Sequence, residues 1–177
     1  SLEGLYGSAP VNQLFDSALT IIGEGKTRIV FNVEPRHYHA AGAAHGTIYF
    51  KMLDDAAFYA ANTLVTDRFL LTTSFNLHFT RPVKAGQVVA EGRWISGRKR
   101  VLVAEARLID AEGEEIGRGT GTFMRSRIAL SSLAVVKRTE NVPEGSLESQ
   151  DPFRSGTSRV VPFVAEPTFQ PGETVSL

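Results

Sequence analysis

"AAHGTIYFKMLDDAAFYAAN", Ala43 to Asn62, decides how this chain folds. Successive residues of an α-helix turn by about 100°. At that spacing the segment is apolar on nearly every side: Ile48, Tyr49, Met52, Leu53, Ala56, Tyr59, Ala60 and Leu64 fill most of the circumference. A helix apolar all round is enclosed by its own protein. The pattern predicts a helix from Thr47 to about Val65. Two aspartates sit in its middle. Asp55 lies on the one polar stripe, with Lys51 and Asn62, and Lys51 stands one turn before it as a partner. Asp54 shares its face with Phe50, Ala57, Phe58 and Ala61 and has no helical partner of opposite charge. An unpaired buried carboxylate costs several kcal/mol or takes up a proton. A hydrogen bond from a loop is one resolution; acid–base or nucleophilic work in a pocket is the other.

The start of this helix suits an anion. Gly46 stands at the junction, where backbone N–H groups are unpaired and the helix dipole favours negative charge. A glycine there lets a ligand come close, and an oxyanion fits. His45 and Asp54 are nine positions apart, about 13 Å along a helix axis. That spacing suits a pocket running along the helix, not a direct His–Asp bond.

Upstream, "EPRHYHAAGAA" reads as loop and "LTIIGEGKTRIVFNV" as a hairpin. "SAPVNQLFDSAL" predicts a short helix capped by Ser8, with Pro10 in its first turn. Downstream, "LLTTSFNLHFTRPV" alternates. Leu71, Phe75, Leu77 and Phe79 are expected on one face; Thr72, Ser74, Asn76, His78 and Thr80 on the other. "QVVAEGRWIS", "VLVAEARLID" and "EIGRGTGTFMRS" follow as strands, with turns at "KAG", "GRKR" and "AEGE". Gly117, Gly119 and Gly121 share a face, which predicts a close approach of another backbone. Residues 1–127 are expected to form one domain. Residues 128–177, with Pro143, Pro152, Pro162, Pro167 and Pro171, are expected to form an irregular C-terminal arm on the core or on a partner, not a second domain.

Composition narrows the function. The 177 residues are 42% hydrophobic, enough for one real core. With 19 basic and 19 acidic residues there is no basic stripe for nucleic acid and no acidic excess for disorder. No cysteine means no disulfide and no Cys–His chemistry. A G-x-S-x-G elbow is missing. His37, His39 and His45 with Asp54 are suitable metal ligands by type, but their spacing matches no metal signature. "SLEGLYGSAPVNQLF" lacks the order of a signal peptide and no apolar run spans a bilayer, so a cytoplasmic protein without a membrane partner is expected.

"HGTIYFKMLDDA", preceded by "HAAGAA" and followed by "SFNLHFTRPVKAG", resembles the PaaI-like hotdog-fold acyl-CoA thioesterases. Their usual pattern is N-x-x-G-x-x-H-G-G, then a catalytic Asp or Glu in the helix, then a strand ending near proline. The resemblance covers Pro10 to Arg127. It implies an α+β hotdog fold, in which a curved antiparallel sheet wraps a long central helix. It implies hydrolysis of acyl-CoA or acyl-carrier thioesters without a cofactor, in a homodimer or a dimer of dimers. Counting from His45 and Gly46, the acidic residue falls on Asp54, as general base or as nucleophile through an anhydride. The amide that polarises the carbonyl falls on Gly46, and a Ser/Thr from the second subunit falls near Thr72. Thr47 replaces the second motif glycine, which keeps the amide at the substrate. His39 replaces an Asn or Gln, so a group whose charge depends on pH stands where water is positioned. CoA phosphates would meet Arg98, Lys99 and Arg100, unless these form only a solvated turn. A non-catalytic acyl-CoA-binding protein on the same fold is the alternative; the retained Asp54 argues against it.

Overall fold

The computed structural model describes residues 1–133. The expected arm beyond them lies outside the described residues. In chain order come helix α1 (Leu2–Ser8), strands β1 (Ser17–Gly23) and β2 (Lys26–Val33), helix α2 (Gly46–Asn62), and strands β3 (Arg68–Phe79), β4 (Gly86–Ser96), β5 (Val101–Ile109) and β6 (Glu115–Ala129). Short 3-10 turns lie at Pro10–Leu14, Pro35–His37 and Leu130–Ser132. β6 runs on past Arg127.

The six strands form one antiparallel sheet in the order β1-β2-β4-β5-β6-β3. The β1–β2 hairpin and the β4–β5 and β5–β6 turns stand where the sequence places them. The "KAG" turn does not close a hairpin, because β3 pairs with β6 and β4 with β2. Helix α2 therefore carries the chain from β2 to the far edge of the sheet, packing across it on the way. Met52, Leu53, Ala56, Ala57, Ala60 and Ala61 have no solvent exposure. This is the hotdog fold. Among the described residues no helix is long and apolar enough to cross a membrane.

Small residues let the helix lie close. A Cβ on Gly92 of β4 would overlap the Ala56 carbonyl oxygen and lie 2.5 Å from Thr27 Oγ1. Thr27 Oγ1 instead donates to that carbonyl at 2.6 Å. The closest backbone approach is thus at Gly92, not at the three glycines of β6, where a Cβ on Gly117 would lie 3.3 Å from His78 O and one on Gly119 3.1 Å from Asn76 O. Gly119 and Gly121 make room for the Phe75 ring; a Cβ at Gly121 would lie 2.6 Å from Phe75 Cδ2. An aromatic ring from a neighbouring strand fills a glycine face as well as a backbone does.

Two boundaries differ from expectation. Ser8 does not cap a helix: it ends α1 and donates to Leu5 O, while the following 3-10 turn begins at Pro10 without a side-chain cap. Helix α2 stops at Asn62, not Val65. The Asn62 amide donates to Val65 O and Arg68 O and accepts from Leu70 N, turning the chain into β3.

Candidate active site

A strand defect sets the geometry. β3 pairs Thr72 with Phe123 and Ser74 with Thr122, leaving Thr73 as an extra residue. Such a bulge re-aims side chains on either side of it. Thr73 Oγ1 and Ser74 Oγ both bond to Thr122 Oγ1, at 2.9 and 2.6 Å. Before the bulge Leu70 and Thr72 face the helix; after it Phe75, Leu77 and Phe79 do. The strict alternation expected from sequence is therefore wrong at Leu71, which is exposed, and at Thr72, which stays exposed itself but reaches the helix at Asp54.

Thr72 Oγ1 donates to Asp54 Oδ1 at 2.9 Å. This contact lies within one chain, whereas the resemblance implies a Thr72 from a second subunit. The bulge places it there, because β3 leaves the helix directly and runs back along it. Asp54 Oδ2 has no partner among the described residues. Burial pushes the Asp54 carboxyl up to about 6. The Thr72 hydroxyl works against that rise, the Asp55 charge adds to it, and the Lys51 ammonium opposes it.

Asp55 is the structural member of the pair. Lys51 Nζ lies 2.5 Å from its Oδ2, and the two side chains are 14% and 23% exposed. Burial raises the Asp55 carboxyl, while the Lys51 charge and hydrogen bond lower it. The polar stripe read from the sequence is not solvated. The segment around the Pro10–Leu14 turn covers it, which the periodicity of one helix cannot show.

The helix start is built as a donor site. His45 is the N-cap residue; its Nδ1 accepts from Thr47 N at 3.1 Å and meets Thr47 Oγ1 at 2.9 Å. The Gly46 N–H has no acceptor among the described residues. A Cβ on Gly46 would come within 3.1 Å of the Phe79 ring. Behind it, Tyr49 Oη accepts from Val83 N at 2.7 Å, and Val83 O accepts from Ala44 N at 2.8 Å. This chain fixes the loop that delivers His45 and Gly46. Phe50 and Phe79, 41% and 49% exposed, present aromatic surface on this side of the molecule.

The other expected residues scatter. His37 is buried, stacked on Phe15 at 5.4 Å, with Nδ1 accepting from Glu34 N. His39 is exposed and its Nδ1 accepts from Ala41 N at 3.0 Å within its own turn. Arg98 stacks on Trp94 at 4.8 Å and pairs with Glu24 at 3.2 Å. Lys99 and Arg100 are exposed at the β4–β5 turn. Nothing in the sequence marks Asn12, Phe15 or Tyr49 for a part in this site. None has a chemical signature of its own, and each acts only through a contact distant in the chain.

The sequence model of the thioesterase superfamily matches residues 41–116. A protein of Saccharolobus solfataricus named "Putative esterase SSO1253" is 29% identical over 101 residues, 57% of this chain and 67% of its own. The transcription factor FapR of Shouchella clausii is 32% identical over 106 residues, 57% of this chain and 53% of its own. The chain thus spans about half the length of that relative. Among solved structures, the PaaI protein of E. coli, from the phenylacetic acid degradation operon, superposes with a TM-score of 0.67 at 17% identity. That match covers 72% of this chain and 92% of the other. A thioesterase of Haemophilus influenzae, HI1161, gives 0.63 at 15% identity, over 77% and 91%. At these identities the structural likeness speaks for the fold.

Proposed function

We propose that the chain is a member of the thioesterase superfamily, whose sequence model matches residues 41–116, and that it hydrolyses acyl thioesters, with coenzyme A as the carrier. The observation that carries the reading is Asp54: a half-buried carboxylate raised to about 6, held through one oxygen by Thr72. Such a group is ionised at neutral pH yet basic enough to accept a proton. Asp54 takes a proton from water while the water oxygen bonds to the thioester carbonyl carbon. The Gly46 N–H receives the developing oxyanion. When the tetrahedral species collapses, the C–S bond breaks and the proton on Asp54 passes to the departing thiolate. Acid and thiol leave, and the carboxylate is regenerated.

Gly46 and Asp54 stand eight residues apart in one helix, about 12 Å along its axis. A water on Asp54 and a carbonyl on the Gly46 N–H cannot meet across that length within a single chain. We therefore assign each site to two copies, with Gly46 from one and Asp54 from the other. His39 orders the attacking water in this scheme, Thr47 extends the donor site, and Lys99 and Arg100 take CoA phosphates. Arg98 braces their turn through Trp94 and Glu24.

The test is release of free thiol from acyl-CoA esters across chain length and with aromatic acyl groups, with Asp54→Asn as control. Turnover by the wild type that the variant lacks supports the proposal; equal turnover by both removes Asp54. The relation to FapR, a transcription factor by name, favours one second reading: an acyl-CoA-binding module without turnover. Tight acyl-CoA binding in calorimetry, with no thiol released from any ester, would establish that instead.

A further inference from the structure

Lys51 has a choice of aspartates. Asp54 stands three residues after it and Asp55 four, and opposite charges meet on a helix at both spacings. Lys51 Nζ lies on Asp55, 2.5 Å from Oδ2. Three groups from before β1 surround it on that side. Asn12 Oδ1 accepts from the same ammonium at 2.5 Å. Asn12 is itself buried, and its amide donates to Tyr6 O at 2.7 Å. The Phe15 and Tyr6 rings lie 4.9 and 5.5 Å from Nζ, within cation–π range. Tyr6 is tied in turn to Ser17, oxygen to oxygen at 2.8 Å.

We propose that Asn12, with the Phe15 and Tyr6 rings, holds Lys51 on Asp55 and so leaves Asp54 unpaired as the base. Asn12 is then a positioning residue that acts through Lys51. The inference rests on the reading of Asp54 given above. If Lys51 swung to Asp54, the ion pair would weaken the base and occupy the oxygen that water needs. The groups that act on Asp54 among the described residues are Asp55 and Lys51 from its own helix and the Thr72 hydroxyl from β3. Asp55 faces Lys51, Tyr6 and Tyr59. Among the described residues no other cation acts on either carboxylate, so the position of Lys51 decides their difference.

The experiment compares Asn12→Ala, Lys51→Met and Asn12→Ala/Lys51→Met with the wild type. Thioester turnover is followed against pH, and the Asp54 carboxyl is titrated by carbon-13 NMR without substrate. Asn12→Ala should move the Asp54 titration and the acid limb of the rate profile to lower pH by about one unit. Turnover near neutrality should fall roughly tenfold, with KM little changed. Adding Lys51→Met should return the double variant to the level of Lys51→Met alone. A merely structural Asn12 gives no such rescue: equal loss in Asn12→Ala and the double variant overturns the proposal, as does an unmoved titration. Phe15→Leu, which removes one ring but keeps the site apolar, should show a smaller shift of the same sign and serves if Asn12→Ala does not fold. The NMR arm separates the two readings. A shift that Lys51→Met reverses, in a protein whose Asp54→Asn variant still turns over, supports the Lys51 placement and overturns only the base assignment.

Discussion

Asp54 joins two properties that oppose each other. Its carboxyl rises from 3.8 to about 6 because the fold withholds water from it. A carboxyl raised in the folded state favours the protonated form. Its contribution to stability is full below pH 3.8 and is lost as pH rises through about 6. Asp54→Asn keeps an acceptor for Thr72 and never charges. The variant should therefore be more stable than the wild type at pH 8, by on the order of 2 kcal/mol, and no more stable at pH 3.5. Urea unfolding at the two pH values checks this. The same substitution should lower turnover by at least about a hundredfold. In the wild type, turnover should fall as pH drops below about 6, because only the ionised carboxylate accepts the proton. Stability and activity thus move in opposite directions at one residue, and that opposition distinguishes a working carboxylate from a structural one.

Helix α2 and the sheet fit through two kinds of glycine, and substitutions should tell them apart. At Gly92 an added methyl group meets the Ala56 carbonyl, part of a helix backbone that cannot step aside. At Gly121 it meets the Phe75 ring, a side chain that can be exchanged. Gly121→Ala should cost about 1–3 kcal/mol, and Gly121→Ala/Phe75→Leu should recover part of that. Gly92→Ala should cost as much or more, with no rescue from Phe75→Leu. Thermal unfolding of the four proteins decides the matter; equal rescue in both backgrounds would mean the helix does not rest on Gly92. The bulge at Thr73 belongs to the same scale. It lets one strand present a hydroxyl to Asp54 and then a row of rings to the helix.

The distance between Gly46 and Asp54 sets a requirement on the whole molecule. Because Thr72 reaches Asp54 within its own chain, lesions at those two positions always fall on one site. The informative pair is Gly46→Pro with Asp54→Asn. Proline is accepted at the first position of a helix and removes the amide hydrogen, while its Cβ must displace the edge of the Phe79 ring, 3.1 Å away, so thermal unfolding checks that the variant folds. His45, before it, already has the extended backbone that a following proline requires, at φ −66 and ψ 147. Each variant alone should be inactive. After the two are unfolded and refolded together in equal amounts, mixed dimers carry one site with both lesions and one with neither, so about a quarter of wild-type activity should return. No recovery, with exchange of chains demonstrated, would mean that Gly46 and Asp54 do not serve the same thioester.

Periodicity alone reveals the central helix, the β1–β2 hairpin, the strands β4 to β6 and the odd position of Asp54, because each is a local pattern of apolar spacing and turn residues. The Lys51–Asp55 pair is equally local, one helical turn apart. What the sequence could not determine was which surfaces meet. The apolar circumference of α2 says that the helix is covered, but not that Gly92 admits its backbone or that the Asn12 segment covers its polar stripe. The pairing of β3 with β6 is also tertiary, since it joins residues about fifty positions apart across an intervening hairpin. The contact of Thr72 with Asp54 depends on a bulge that exists only in register with β6. A strand alternates by itself; where the alternation slips is settled by the partner strand, and here that slip brings Thr72 to Asp54.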